Sequence, residues 1–143
     1  MEPTIAAKKL HWGARLPRYA TEGAGGLDLY ACLEKPAEVS PGAIVVVPTG
    51  LALAIPEGFV GLVRDRSGLA LSGLHTLAGV IDSDYRGEIK IALHNAGTST
   101  QTIEAGDRIA QMLVLPCPQA EIVELPDLPA TERGSRGFGS TGR

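Results

Sequence analysis

The stretch Gly79-Val80-Ile81-Asp82-Ser83-Asp84-Tyr85-Arg86-Gly87-Glu88-Ile89-Lys90-Ile91-Ala92-Leu93 sets β-forming residues on either side of a charged centre. Val80 and Ile81 lead in, two acids stand two residues apart, an aromatic, an arginine and a glycine follow, and alternation resumes at Ile89, Ile91 and Leu93. A period of two marks a half-buried strand, so the stretch reads as a hairpin with an acidic tip. If the first strand runs on through the acids, Asp82 and Asp84 project from one face; if a turn opens at Ser83, they part. Either way a carboxylate stands beside Tyr85 and Arg86. A solvated hairpin, with Asp84 capping its turn and Arg86 paired with an acid, accounts for these residues equally well.

The same grammar extends in both directions. Lys8 to Trp12 reads as an edge strand, and Leu27, Leu29 and Ala31 alternate with Asp28, Tyr30 and Cys32. Ala43–Val47 and Leu51–Ile55 read as strands separated by Pro48-Thr49-Gly50, and Phe59–Val63 follows a Pro56-Glu57-Gly58 turn. Glu34 to Gly42 reads as loop, and Ser67 to Leu74 has room for one helical turn at most. Thr100–Ile103, Arg108–Leu115 and Ala120–Leu125 complete the set. Eighteen glycines and ten prolines punctuate these runs, at the ~8–12-residue spacing of a sandwich, barrel or jelly roll. The fold class is therefore all-β, with residues 1–132 as one domain and 133–143 as a tail.

Composition narrows the function. Aromatics are 4% of the 143 residues, so Val, Leu, Ile and Ala must build the core. A formal charge of −3 argues against a general nucleic-acid or membrane-surface binder, which needs a basic face. No run of 18 apolar residues occurs and Met1 to Leu10 holds no apolar stretch of signal-peptide length, so a cytoplasmic protein is expected. Cys32 and Cys117 form no Cys-x-x-Cys pair and read as reduced core thiols. His11, His75 and His94 stand apart in the chain and read as structural.

Three further stretches carry chemistry. The tail, Arg133-Gly134-Ser135-Arg136-Gly137-Phe138-Gly139-Ser140-Thr141-Gly142-Arg143, has three arginines, hydroxyls and one ring but no acid. Taken alone it reads first as a mobile terminus, and its chemistry also suits a phosphate wrap. Its Gly137–Gly142 spacing fits G-x-G-x-x-G, yet no helix follows, so the dinucleotide reading fails. Arg64-Asp65-Arg66-Ser67-Gly68 leaves a strand at a possible helical turn and suits an anion, or is a charged loop in which Asp65 pairs with a neighbour. On Arg108–Leu115, Arg108, Ala110 and Met112 are expected on one face and Ile109, Gln111 and Leu113 on the other. Gln111 then needs a partner in the core or a ligand. There is no G-x-S-x-G elbow, zinc-deaminase signature or P-loop.

These pieces resemble a known family, the trimeric dUTP diphosphatases (dUTPases). Its five motifs run in order here: Ala24-Gly25-Gly26-Leu27-Asp28-Leu29, Arg66-Ser67-Gly68, Gly79 through Gly87, Gly106-Asp107-Arg108-Ile109-Ala110-Gln111, and the arginine-glycine tail. The resemblance implies a distorted jelly-roll or β-clip barrel, assembled as a homotrimer with exchanged C-terminal arms and with active sites built from all three chains. It implies conversion of dUTP and water to dUMP and pyrophosphate with Mg²⁺ on the triphosphate. That step limits uracil incorporation into DNA and supplies dUMP for dTMP synthesis; no nucleic-acid or membrane partner is implied.

By the same resemblance, Asp82 matches the general base that activates water for attack on the α-phosphorus, and Gln111 a residue beside that phosphate and water. Tyr85 matches the aromatic that packs on the sugar and excludes a 2′-hydroxyl. Thr76 through Gly79, Val80 and Ile81 match the segment whose main chain reads uracil. Arg66, Ser67 and Gly68 match phosphate binders, and Asp28 an acid near the metal's water shell or in the architecture of the site. In the arm, Arg133 would reach the distal phosphates, Phe138 would cover the base, and Gly139, Ser140 and Thr141 would bind phosphate. Asp65 stands where relatives often carry proline, an acid that Arg64 would have to neutralise. Thr76 stands where some use asparagine, Gly25 replaces a common alanine and Arg136 a common glycine. The related dCTP deaminases and a non-catalytic nucleotide-binding trimer are the alternatives.

Overall fold

Short alternating runs can bury their apolar sides only by pairing into sheets that face one another. In the computed structural model, which describes residues 2–142, they do so around one core. The strands are β1 (Ala6–Lys9), β2 (Arg18–Tyr19), β3 (Leu27–Tyr30), β4 (Ala37–Val39), β5 (Ile44–Ala54) and β6 (Phe59–Arg64). After one short helix, α1 (Ser67–Leu71), come β7 (Leu74–Leu77), β8 (Val80–Ile81), β9 (Glu88–Asn95), β10 (Gln101–Ile103) and β11 (Arg108–Pro116). They form a four-stranded sheet ordered β1-β5-β9-β7, a five-stranded sheet ordered β2-β3-β11-β6-β8, and a β4-β10 pair. The fold is all-β, a distorted jelly roll. Among the described residues no helix is long and apolar enough to cross a membrane.

Ile89, Ile91 and Leu93 lie inward on β9 as their alternation predicts. The acidic hairpin, however, is not a hairpin. β9 is flanked by β5 and β7, so it has no free edge, and β8 pairs instead with β6 in the other sheet. Residues 82–87 therefore cross from one sheet to the other. A second crossing lies just upstream, where β7 ends and Ala78 (φ 60°) and Gly79 (φ 113°) turn the chain onto β6. A Cβ on Gly79 would stand 2.8 Å from the Val63 carbonyl oxygen, so both the backbone angle and the contact require glycine.

Other expectations are corrected in the same way. Pro48-Thr49-Gly50 does not end a strand: β5 runs through it with a register shift against β9. The buried Thr49 hydroxyl donates to the Ile89 carbonyl at 2.6 Å and stitches this bulge to its neighbour. β4 and β7, too short and polar to stand out, are both real strands. β1 begins at Ala6 and ends before Leu10. Ala120–Leu125 forms no strand, and Ile122 is left 90% exposed. Cys117 is exposed rather than in the core, and both cysteines are free.

Asn95 closes the end of β9. Fully buried, it donates through Nδ2 to the carbonyls of Val39 and Ser99, both at 2.8 Å, and accepts from the Gly97 N–H at 2.9 Å. Replacing Asn95 with Leu keeps the volume and strands these partners, which should cost about 2–4 kcal/mol. Urea denaturation should show it as a lower midpoint at unchanged slope.

Candidate active site

The five-stranded sheet carries a polar row across its outer face. Arg18 lies opposite Asp28, Asp28 opposite Gln111, and Gln111 opposite Arg64, and directly paired residues share a face. A register shift between Arg108 and Ala110 alters the pattern on β11. It turns Ile109 into the core beside Ala110 and Met112, so Ile109 and Gln111 do not share a face as their spacing predicts. It also brings Arg108 toward Asp28, with Nη1 3.7 Å from Oδ2. Arg66 approaches the other oxygen, Nε to Oδ1 at 3.6 Å. Asp28 is 5% exposed. Arg66 and Arg108 thus flank one carboxylate, with Arg18 and Arg64 further along the same row, a local excess of positive charge in a chain of net charge −3.

Gln111 resolves its two alternatives through the backbone. Its Nε2 donates to the Asp65 carbonyl at 2.7 Å, which ties β11 to the loop bearing Arg66, Ser67 and Gly68. Ser67 and Gly68 are exposed at the start of α1. Asp65 makes no ion pair with Arg64; its Oδ1 accepts from the Thr76 N–H at 2.6 Å and from the Thr76 hydroxyl at 2.8 Å. Gly26 lies under the Gln111 amide, and a Cβ there would collide with Oε1 and stand 3.0 Å from the Gln111 Cβ.

The acidic corner is a separate surface. The strand ends at Ile81 and a turn follows, closed by the Tyr85 N–H to the Asp82 carbonyl at 3.1 Å, so Asp82 and Asp84 part rather than share a face. Arg86 pairs with no acid; its Nη1 donates to the carbonyls of Ser83 at 2.7 Å and Tyr85 at 3.0 Å. The Tyr85 hydroxyl donates to the Glu88 carbonyl at 2.7 Å. Its ring lies over Gly87, where a Cβ would stand 2.6 Å from the hydroxyl oxygen. Val80, Ile81, Asp82, Tyr85, Glu88 and Lys90 line a groove of about 270 Å³ with Asp82 exposed at its wall.

One chain does not bring the corner and the row together. Ile81 pairs with Gly61, so Asp82 lies level with Val60, four residues back along β6 from Arg64, which pairs with Gln111. At about 3.3 Å per residue and about 4.8 Å between strands, Asp82 stands about 13 Å along and about 10 Å across from Gln111. Among the described residues, the tail's hydrogen bonds stay within 131–142, as in Arg133 Nε to the Arg136 carbonyl at 2.9 Å, and none reaches either surface. Phe138 is fully exposed, Gly139, Ser140 and Thr141 are exposed, and Arg143 lies outside the described residues.

Arg18 and Arg108 were not singled out from the sequence, because only the strand register and its bulge show which residues they join. His75 and His94, apart in the chain, meet across β7 and β9 with Nε2 and Nδ1 2.7 Å apart. A larger groove of about 990 Å³ near Cys32 and His11 contains none of the expected site residues. Burial, with Glu88 and Glu34 nearby, pushes the Cys32 thiol pKa up, which keeps it protonated.

The fold and its surfaces define a jelly-roll protein with a guanidinium-rich face suited to a polyanion. A family model described as dUTPase matches residues 13–142, and the chain belongs to that family. It is 51% identical over 130 residues to the deoxyuridine 5'-triphosphate nucleotidohydrolase of Desulfotalea psychrophila, covering 89% of this chain and 87% of the relative. With the protein of that name from Syntrophotalea carbinolica it shares 47% over 142 residues, covering 97% of each. The Staphylococcus bacteriophage 80alpha dUTPase solved with dUpNHpp superposes with a TM-score of 0.91 at 28% identity, covering 98% of this chain and 99% of that one.

The Gly26 contact gives a direct test of the row. Gly26→Ala should displace the Gln111 amide from the Asp65 carbonyl and destabilise the fold by about 1–3 kcal/mol through overpacking. Thermal or urea unfolding measures it.

Proposed function

We propose that this chain hydrolyses dUTP to dUMP and pyrophosphate, with Asp82 as the general base, and that it works as a homotrimer. What carries the reading is that a chain of the dUTPase family holds an exposed carboxylate beside a base-sized groove, and a guanidinium row suited to phosphates, on two separate surfaces. The two can act on one nucleotide only if another chain brings them together. Apolar side chains left open near the row support this: Val80, Leu62 and Leu113 lie in line across the outer face, with Val80 65% exposed.

In this reading Arg66, Ser67 and Gly68 bind the phosphates, helped by Arg18, Arg64 and Arg108, whose planar forks suit phosphate oxygens. Gln111 stands near the α-phosphate and the attacking water. The main chain from Thr76 through Gly79, Val80 and Ile81 reads uracil, and Tyr85, held over Gly87, packs on the deoxyribose. Residues 133–143 form an arm that closes over the nucleotide of another chain, with Arg133 on the distal phosphates, Phe138 on the base, and Gly139, Ser140 and Thr141 on phosphate oxygens. Asp82 takes a proton from water held in line with the phosphorus, the task for which an exposed carboxylate in hydrogen-bond reach is suited.

The donor set fits Mg²⁺ carried on the triphosphate rather than caged by protein. Among the described residues no group of three His, Cys, Asp or Glu side chains could hold a metal, and Mg²⁺ keeps several of its waters when phosphates bind it. Asp28, buried and flanked by Arg66 and Arg108, would act on it at most through the ion's water shell. The ion supplies charge neutralisation and orientation of the phosphates.

With Mg²⁺ the purified protein should release pyrophosphate from dUTP and far less from dTTP, dCTP or UTP. Ammonia from dCTP would identify a deaminase instead, and tight dUTP binding without turnover a regulatory trimer. Asp82→Asn should bind dUTP and turn over about 100-fold or more slowly, the scale of general-base catalysis. Unchanged kcat would remove Asp82 from that role.

A further inference from the structure

Asp65 joins three parts of the molecule through its own polar atoms. Its carbonyl accepts from Gln111 on β11, its neighbour Arg66 faces Asp28, and its carboxylate accepts both the N–H and the hydroxyl of Thr76 on β7. β7 is an edge strand of the four-stranded sheet, and an edge leaves alternate backbone N–H groups without a ladder partner. The Asp65 side chain supplies the acceptor that a further strand would have supplied. Two residues on, the chain enters the Ala78-Gly79 corner, which is held from its other side by the Val63 N–H on the Gly79 carbonyl at 2.8 Å. The corner is thus pinned between β6 and Asp65.

The geometry points to Asp65 as a positioning residue that keeps the Arg66-Ser67-Gly68 loop in register with the Thr76–Ile81 corner. This rests on the reading of those segments as phosphate and uracil binders. Because Asp82, beyond the far end of that corner, lies apart from the guanidinium row of its own chain, the Arg66 loop and Asp82 serve neighbouring sites of the assembly, and the Asp65–Thr76 tie holds those sites at one spacing. Proline at position 65 would keep the carbonyl that Gln111 uses and lose the carboxylate. The acid and the Thr76 hydroxyl therefore form a matched pair, and two donors on one oxygen disperse a charge that would otherwise oppose a triphosphate. Asp65 itself touches no reacting atom.

The test is steady-state dUTP hydrolysis by the full chain with Mg²⁺, paired with amide hydrogen exchange at Thr76. Asp65→Ala should raise KM about tenfold with kcat within about twofold, the scale of one lost positioning bond, and should speed Thr76 exchange. Asp65→Asn keeps an oxygen able to accept from both donors and should restore KM and exchange nearly to wild type. Thr76→Val, which retains the N–H, should raise KM less, and should add nothing to Asp65→Ala; it also serves if Asp65→Ala folds poorly. Faster exchange with unmoved KM would reduce Asp65 to a structural role, and unmoved exchange would show that the tie does not exist in solution; either overturns the inference. A wild-type protein that leaves dUTP intact would refute the function on which it rests, a result distinguishable from both.

Discussion

A carboxylate held out of water between two guanidiniums organises the polar face of this protein. Asp28 sits on β3 with Arg66 and Arg108 at its two oxygens. A charge that deep is tolerated only when paired, so the bulge that swings Arg108 toward it and the loop that delivers Arg66 are constrained together. Gln111, opposite Asp28 on the next strand, extends the constraint to the Asp65 carbonyl. Arg66 and Arg108 can then lie close together in a slightly acidic molecule, because the carboxylate between them offsets their mutual repulsion.

The strands and their inward faces were legible wherever alternation was strict, as at Ile89, Ile91 and Leu93. Their neighbours were not, because a pattern of period two sets which way side chains point and says nothing of which strand lies alongside. That is why the acidic stretch read as a hairpin and proved to be a crossing between sheets. β4 and β7 are hidden for different reasons: Ala37-Glu38-Val39 alternates only once, too briefly to mark a strand, and Leu74-His75-Thr76-Leu77 does not alternate. The bulge at Ile109 hid the role of Arg108, since one extra residue exchanges the faces on either side of it.

The candidate site was legible to a different depth. The motifs located Asp82, Gln111 and Arg66 as residues, and family membership rests on the chain as a whole. What the motifs do not contain is distance: Asp82 and Gln111 belong to surfaces that β6 keeps apart. Asp65, which looked like an acid in need of neutralising, spends its charge on the backbone of an edge strand. A residue that departs from a common pattern can thus have a partner of its own, here Thr76.

The loop bearing Asp82 is anchored at one end in β8 and at the other in β9, and these belong to opposite sheets. It therefore works as a gauge of the gap between them. A void opened at Ile89 or Leu93 would let the layers settle closer, and the loop would buckle by a fraction of an ångström with no contact to it altered. Packing faults deep in the interior would then surface as misaligned chemistry well before they surfaced as unfolding.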